Sequence, residues 1–148
     1  MEIQVARSSD VDAVVSLVAK VSDIDVLPLF NGQGQKEYKK HVLPDLASAL
    51  DDDRYVTIKA ISNGKLLGFA ALRDGNYLMY LFVDKSAQGM GLGHQLLTFL
   101  LNATDAKEIH LRSSINAIGF YRHNGFKVLG EETEFNGIRF VPMSLVRT

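Results

Sequence analysis

The segment Val83-Asp84-Lys85-Ser86-Ala87-Gln88-Gly89-Met90-Gly91-Leu92-Gly93-His94-Gln95-Leu96-Leu97 constrains the fold more than any other. Ahead of it, Tyr77 to Asp84 reads as an apolar strand. Behind it, Leu92, Leu96, Phe99 and Leu100 recur at the spacing of an amphipathic helix. Glycines between a strand and a helix let the backbone turn sharply and approach a ligand, because no Cβ intervenes. The first N–H groups of the helix lack partners within it and aim at whatever lies before it. A pyrophosphate suits that place, helped by the helix dipole. A tight turn with nothing bound is the other reading of the same spacing. Two nucleotide motifs fail here. The sixth position from Gly89 is His94 and from Gly91 is Leu96, so G-x-G-x-x-G is absent. The Gly64-Lys65 pair is followed by Leu66 rather than Ser or Thr.

The rest of the chain supplies the sheet that such a turn needs. Glu2 to Arg7 alternates as a short strand, and Ser8-Ser9-Asp10 offers caps for a helix bearing Val11, Val14, Val15, Val18 and Val21. Residues 22–35 are expected as a loop, including Asn31-Gly32-Gln33-Gly34. A second helix is expected from Gln35 to Leu50, with Tyr38, Val42, Leu46 and Leu50 on one face and a kink or split at Pro44. Asp51-Asp52-Asp53 reads as a solvated turn rather than a metal site. Tyr55 to Ser62, Lys65 to Arg73 and Tyr77 to Asp84 form a meander turned at Asn63-Gly64 and Asp74-Gly75-Asn76. A strand (Glu108 to Arg112) and a helix (Asn116 to Asn124) stopped by Gly125 follow. Last come strands Phe126 to Glu132 and Arg139 to Val146 about Asn136-Gly137. The order β-α-α-β-β-β-α-β-α-β-β predicts an α/β fold with a mixed, mostly antiparallel sheet. A parallel crossover is expected between Tyr77 and Arg112.

Composition excludes several functions. The 148 residues suit one domain, and 16 Lys+Arg against 17 Asp+Glu argue against nucleic acid or an anionic membrane as partner. Cys is absent, which removes disulfides, zinc-thiolate sites and cysteine nucleophiles. The N-terminus carries no signal-peptide pattern, and no apolar run approaches the ~20 residues of a membrane span. A soluble, cytoplasmic protein is expected. His41, His94, His110 and His123 show no paired metal spacing, so no metal is expected. No G-x-S-x-G elbow supports serine-hydrolase chemistry.

Gln88-x-x-Gly91-x-Gly93, five residues after Val83, resembles the Q/R-x-x-G-x-G/A motif of the GNAT superfamily of acyl-CoA N-acyltransferases. Downstream, Ser113-Ser114-Ile115-Asn116-Ala117-Ile118-Gly119-Phe120-Tyr121 followed by Gly125-Phe126 is similar to that family's N/S-x-x-A-x-x-F/L-Y-x-x-x-G-F stretch. The element order fits from about residue 3 to residue 146. The resemblance implies a single GNAT-type domain over 1–148, with splayed central strands, flanking helices and acetyl-CoA as co-substrate. It implies that backbone groups of Leu81 and Val83 pair with pantetheine. An N–H near Leu81 or Phe82 would polarise the thioester carbonyl. The N–H groups of Gln88, Gly89, Met90, Gly91, Leu92 and Gly93 would cradle the pyrophosphate. There are departures. Ser114 stands where the family often has Asn, with Asn116 two residues on, and His94 stands where a basic residue often follows the last glycine.

Acetyl transfer to an amine needs a neutral amine, a stabilised carbonyl oxygen and a proton for the leaving thiolate. An alkyl amine of pKa ~10.4 is neutral in about one molecule in a few thousand at pH 7. Tyr121 matches the family's tyrosine beside the sulfur and is the candidate acid. Its other reading is core packing with Ala117 and Phe120. Some members carry a Glu six residues ahead of the position of Val83. Here that residue is Tyr77, so a water relay is expected, with His41, His110 and Glu37 as lesser candidates for the base. The resemblance places the acceptor between residues 22–41 and Glu131 to Arg139. A small-molecule or protein amine is expected there, near Tyr77, Phe30 and Tyr38. Asp23, Asp25 and Glu37 surround an apolar patch of Leu27, Leu29, Phe30 and Tyr38 and would steer a cationic acceptor; the other reading is that Leu29 and Phe30 cap the core and the acids are solvated. The rival functions are a non-catalytic acyl-CoA-binding or sensory module and a protein N-terminal acetylase. An exposed strand edge offers a route to a homodimer.

Overall fold

The computed structural model describes residues 1–51 and 53–147, the side chains of 41–44 excepted. It contains β1 (Glu2–Val5), α1 (Val11–Asp25), α2 (Gly32–Asp51), β2 (Tyr55–Ser62), β3 (Lys65–Arg73), β4 (Tyr77–Val83), α3 (Leu92–Asn102), β5 (Glu108–Ser113), α4 (Ile118–His123), β6 (Lys127–Val128), β7 (Thr133–Phe135) and β8 (Ile138–Val146). One sheet runs β1-β2-β3-β4-β5-β8-β6, with β7 on β8. Every pairing is antiparallel except β4 with β5. The expected mixed α/β architecture is the observed one.

Apolar periodicity explains the layering. β3 is buried on both faces, with Phe69, Ala70 and Ala71 fully enclosed, as its near-continuous apolar run requires. On one side α1 and α2 bring Val14, Leu17, Val18, Leu46 and Leu50 onto Phe69, Ala71 and Tyr80. On the other, Leu96, Leu97 and Leu100 of α3 meet Ile58, Leu72, Leu78 and Ile109, joined by Tyr121, Phe126 and Met143. Arg147 ties the end of the chain to the end of α3 by donating to the carbonyls of Leu101, Thr104 and Ala106.

Three expectations are corrected. Residues 22–35 are largely helical rather than loop. α1 continues to Asp25, a 3-10 turn covers Leu27–Leu29, and α2 begins at Gly32. The reason lies in Asn31, whose Oδ1 accepts from the Gly34 N–H at 2.8 Å, a cap that pays for starting a helix on two glycines. α2 is not split: one helix runs Gly32–Asp51 through position 44. Third, Phe126 to Glu132 is not one strand. Phe126 turns into the core against Tyr121, and Lys127–Val128 alone pairs with Ser144 and Met143. Thr133–Phe135 then forms the hairpin with β8. The side chain of Val42, part of the expected α2 face, lies outside the described residues.

Candidate active site at the parting of two strands

β4 and β5 share one register position, Tyr77 with His110, supported by the His110 N–H donating to the Asn76 carbonyl at 2.9 Å. Beyond it each strand follows its antiparallel neighbour, β4 with β3 and β5 with β8. The sheet therefore opens as a V toward the ends of both strands. β4 also carries a bulge: Tyr80 faces Ala71 and Leu78 faces Leu72, leaving Met79 as the extra residue. Such a bulge bends its strand and increases the local twist. Leu81 and Val83 then lean toward the α3 side and Phe82 toward the α1 side, all three half-buried.

The turn at the open end is built from the inside outward. Asp84, 3% exposed, accepts from the Ser86 N–H at 2.9 Å, the Ser86 hydroxyl at 2.7 Å and Lys20 Nζ at 3.2 Å. The Ser86 bonds above all, then Lys20, hold its pKa down to about 2. Gly89 and Gly91 adopt φ of +83° and +78°, and a Cβ at either would meet nothing in the protein. Glycine serves there for backbone conformation and for open space above the turn. Gly93 differs: its Cβ would lie 3.1 Å from the Phe120 ring, so glycine there permits close packing of α3 on the segment bearing Tyr121.

Among the described residues, no bond within the protein uses the backbone N–H groups of Gly89 to His94, and α3 has no side-chain cap. Successive free N–H groups at a helix start form an anion-binding concavity. Met90, within this row, is 73% exposed. Gln88 is different, since its N–H reaches the Lys85 carbonyl at 3.4 Å. Its side-chain Nε2 donates to the Val83 carbonyl at 3.0 Å. His94 turns aside to Asn124, whose own amide donates to the Phe120 carbonyl.

Across the gap, Ser113 ends β5 and Ser114 precedes a 3-10 turn. The Ser114 hydroxyl donates to Asn116 Oδ1 at 2.9 Å, and Asn116 Nδ2 donates to the Asp25 carbonyl at 2.8 Å. Tyr121, 8% exposed, is edge-on to Phe120 and Phe126. Burial pushes its phenol pKa well above the ordinary value. Among the described residues its hydroxyl has no hydrogen-bond partner, and no fully buried side-chain oxygen or nitrogen is unpaired. The oxygen therefore sits at an accessible edge of the core.

The candidate acceptor residues divide. Phe30 and Tyr38 are buried together with Leu27, and the Tyr38 hydroxyl is bonded to Ser22 at 2.7 Å. Tyr77 is half-buried at the base of the V under the Arg73 guanidinium, 4.8 Å from its ring centre. Burial raises its pKa, opposed by Arg112 and Arg73. His110 is 3.2 Å from Glu108. The side chain of His41 lies outside the described residues. Asp23 is exposed, whereas Asp25 is held by Lys85 at 2.9 Å, so its charge is not free to steer an acceptor. The α1–α2 connection and the last hairpin do meet. Gly34 and Gly137 pack backbone to backbone, and Arg139 donates to the Leu29 carbonyl at 3.1 Å. Sequence reasoning missed the Met79 bulge, the Asp84 cap and the bonds of Asp25. Asp84 alone carried a signal, as Asp two residues before a Ser at a strand end. Among the described residues no three His, Cys, Asp or Glu stand together as a metal site. No described helix is long and apolar enough to cross a membrane.

Comparison with known proteins agrees with this geometry. Residues 26–147 match the family described as an acetyltransferase (GNAT) domain. A probable spermine N(1)-acetyltransferase of Bacillus subtilis subsp. natto (strain BEST195) is 30% identical over 130 residues, covering 76% of this chain and 85% of that protein. The structure resembles PaiA N-acetyltransferase of Thermoplasma acidophilum in complex with coenzyme A (TM-score 0.76, 19% identity, 98% of both chains). It also resembles a GCN5-related N-acetyltransferase of Rhodopseudomonas palustris (TM-score 0.78, 19% identity, 98% of this chain and 94% of that one). With the glycine turn, the parted strands and a family match over most of its length, the chain belongs to the GNAT family of N-acetyltransferases.

Proposed function

We propose that this N-acetyltransferase, a single domain over residues 1–148, moves the acetyl group of acetyl-CoA to a primary amine by direct attack between β4 and β5. One observation carries the reading: a parallel pair joined at a single rung opens onto a row of N–H groups at the start of α3 that bond to none of the described residues. That row suits a pyrophosphate, and the exposed edge of β4 suits the amides of pantetheine. The Val83 carbonyl can accept from pantetheine while keeping Gln88, since a carbonyl oxygen has two lone pairs. An N–H near Leu81 or Phe82 polarises the thioester carbonyl.

The amine nitrogen bonds to the carbonyl carbon as the carbon–sulfur bond breaks. The Tyr121 hydroxyl donates to the sulfur as negative charge collects there. The surplus proton of the amine passes to water, because β4 carries no carboxylate from Tyr77 to Val83. The relative named for spermine supports a polyamine acceptor. Arg73 and Arg112 beside Tyr77 keep a second cationic group away from that end.

Release of CoA thiol from acetyl-CoA, followed with a disulfide dye, tests the reading against spermine, aliphatic monoamines, free amino acids and peptide N-termini. Polyamines and simple primary amines turning over faster than carboxylate-bearing amino acids is the expected result. Fastest turnover of peptide N-termini overturns the acceptor class. Tight CoA binding with no turnover of any amine overturns the enzyme reading in favour of an acyl-CoA-binding module.

A further inference from the structure

We infer that Asp25, the last residue of α1, is a crossbar that sets the width of the open end between β4 and β5; the inference rests on the reading of that gap as the acetyl-CoA site. The two strands share one rung at the base of the V. At its mouth the packing of Gly93 on Phe120 and the His94–Asn124 bond join the two sides on the α3 face, and the loops on the α1 face need a tie of their own. Asp25 touches both. Its carboxylate accepts from Lys85 Nζ at 2.9 and 3.2 Å and from Gln88 Nε2 at 3.4 Å, on the loop that follows β4. Its backbone carbonyl accepts from Asn116 Nδ2 at 2.8 Å, on the loop that follows β5.

The remaining bonds make the crossbar stiff. Lys85 also donates to Gln88 Oε1 at 3.2 Å, and Gln88 Nε2 also donates to the Val83 carbonyl at 3.0 Å. On the far rim, Ser114 donates to Asn116 Oδ1, which fixes the amide that reaches Asp25. A carboxylate beside a pyrophosphate site is electrostatically adverse. Lys85 offsets that charge, so the net effect of Asp25 is positional. As a positioning residue it acts through Gln88, Lys85 and Asn116 on the spacing of the N–H row from the opposite rim, without touching the reacting atoms.

The absence of Cys allows a direct measurement. Spin labels at Met90→Cys and Arg122→Cys, both exposed positions on opposite rims, report the separation by pulsed electron resonance with no ligand present. Asp25→Ala is expected to broaden that distribution and shift it to longer separation. An unchanged distribution in a variant of unaltered Tm overturns the crossbar. In unlabelled protein, Asp25→Ala is expected to raise the Kd for CoA by calorimetry about tenfold, the equivalent of one lost charged hydrogen bond. KM for acetyl-CoA should rise in parallel, while kcat and the amine KM hold within about twofold. The charge-exchanged pair Asp25→Lys with Lys85→Asp should recover most of the affinity. A tighter Kd in Asp25→Ala, or a rise confined to the amine KM, overturns the proposal. Failure of the wild type to bind CoA strikes the acetyl-CoA reading instead, and the label distances still decide the crossbar.

Discussion

Tyr121 shows how one buried group divides between packing and chemistry. Its ring is core, wedged edge-on between Phe120 and Phe126, while its hydroxyl binds nothing among the described residues. Burial keeps that hydroxyl protonated across the working range. It also makes the phenol a weak acid toward a thiol of pKa near 8.5, so its part is a hydrogen bond to sulfur that strengthens as the thiolate forms. Tyr121→Phe deletes that oxygen and breaks no bond among the described residues. Its Tm should therefore match the wild type, with CoA affinity little changed and kcat lower by about 10²-fold. Melting curves, calorimetry and steady-state rates check the three parts together. Equal losses of Tm and kcat would reduce Tyr121 to a packing residue. The glycines carry a related lesson about legibility. As a string, Gly89, Gly91 and Gly93 look alike. Two are needed for left-handed backbone and open space, and the third for a contact with Phe120, which no local pattern can announce.

At the scale of elements, the Asp84 turn is one piece whose stability depends on pH. Its carboxyl pKa is about 2 in the fold and about 3.9 in an unfolded chain. A depressed folded pKa means that the charged form favours folding. The contribution is complete above about pH 4 and is lost as pH falls through about 2. The shift corresponds to about 2–3 kcal/mol. In urea unfolding, the stability gap between wild type and Asp84→Asn should be largest at pH 5 and close toward pH 2. A gap that stays constant over that range would show that the Ser86 bonds do not depend on the charge. Apolar periodicity made most elements legible: the α1 valines, the buried β3 run and the α3 leucines stand where their spacing puts them. The errors fell where one long-range or side-chain contact decides. Asn31 caps a helix that its glycines disguise as a loop. β6 and β7 are short because each meets a different part of β8.

For the whole molecule, the parting of β4 and β5 weakens the sheet at its centre. The β1–β4 half and the β5–β8 half meet through one rung, the helices of both layers and the Asp25 bonds. A ligand lodged in the V and bonded to β4 and the N–H row would join the halves where the sheet does not. Binding to the folded state alone stabilises by about 2.7 kcal/mol at one hundred times Kd. For a chain of this size that is a rise in Tm of about 5–10 °C. Acetyl-CoA and CoA should both produce it, and NAD and ATP should not, since neither offers a pantetheine to the exposed strand edge. Gly91→Val should abolish the shift: its side chain would fill the space over the N–H row and force a β-branched residue to a φ of +78°. The strain lowers the starting Tm of that variant, so the readout is the ligand-induced difference, not the Tm itself. A full shift in Gly91→Val would move the pyrophosphate away from α3. An equal shift with ATP would mean that phosphate alone is recognised and that the gap between the strands takes no part.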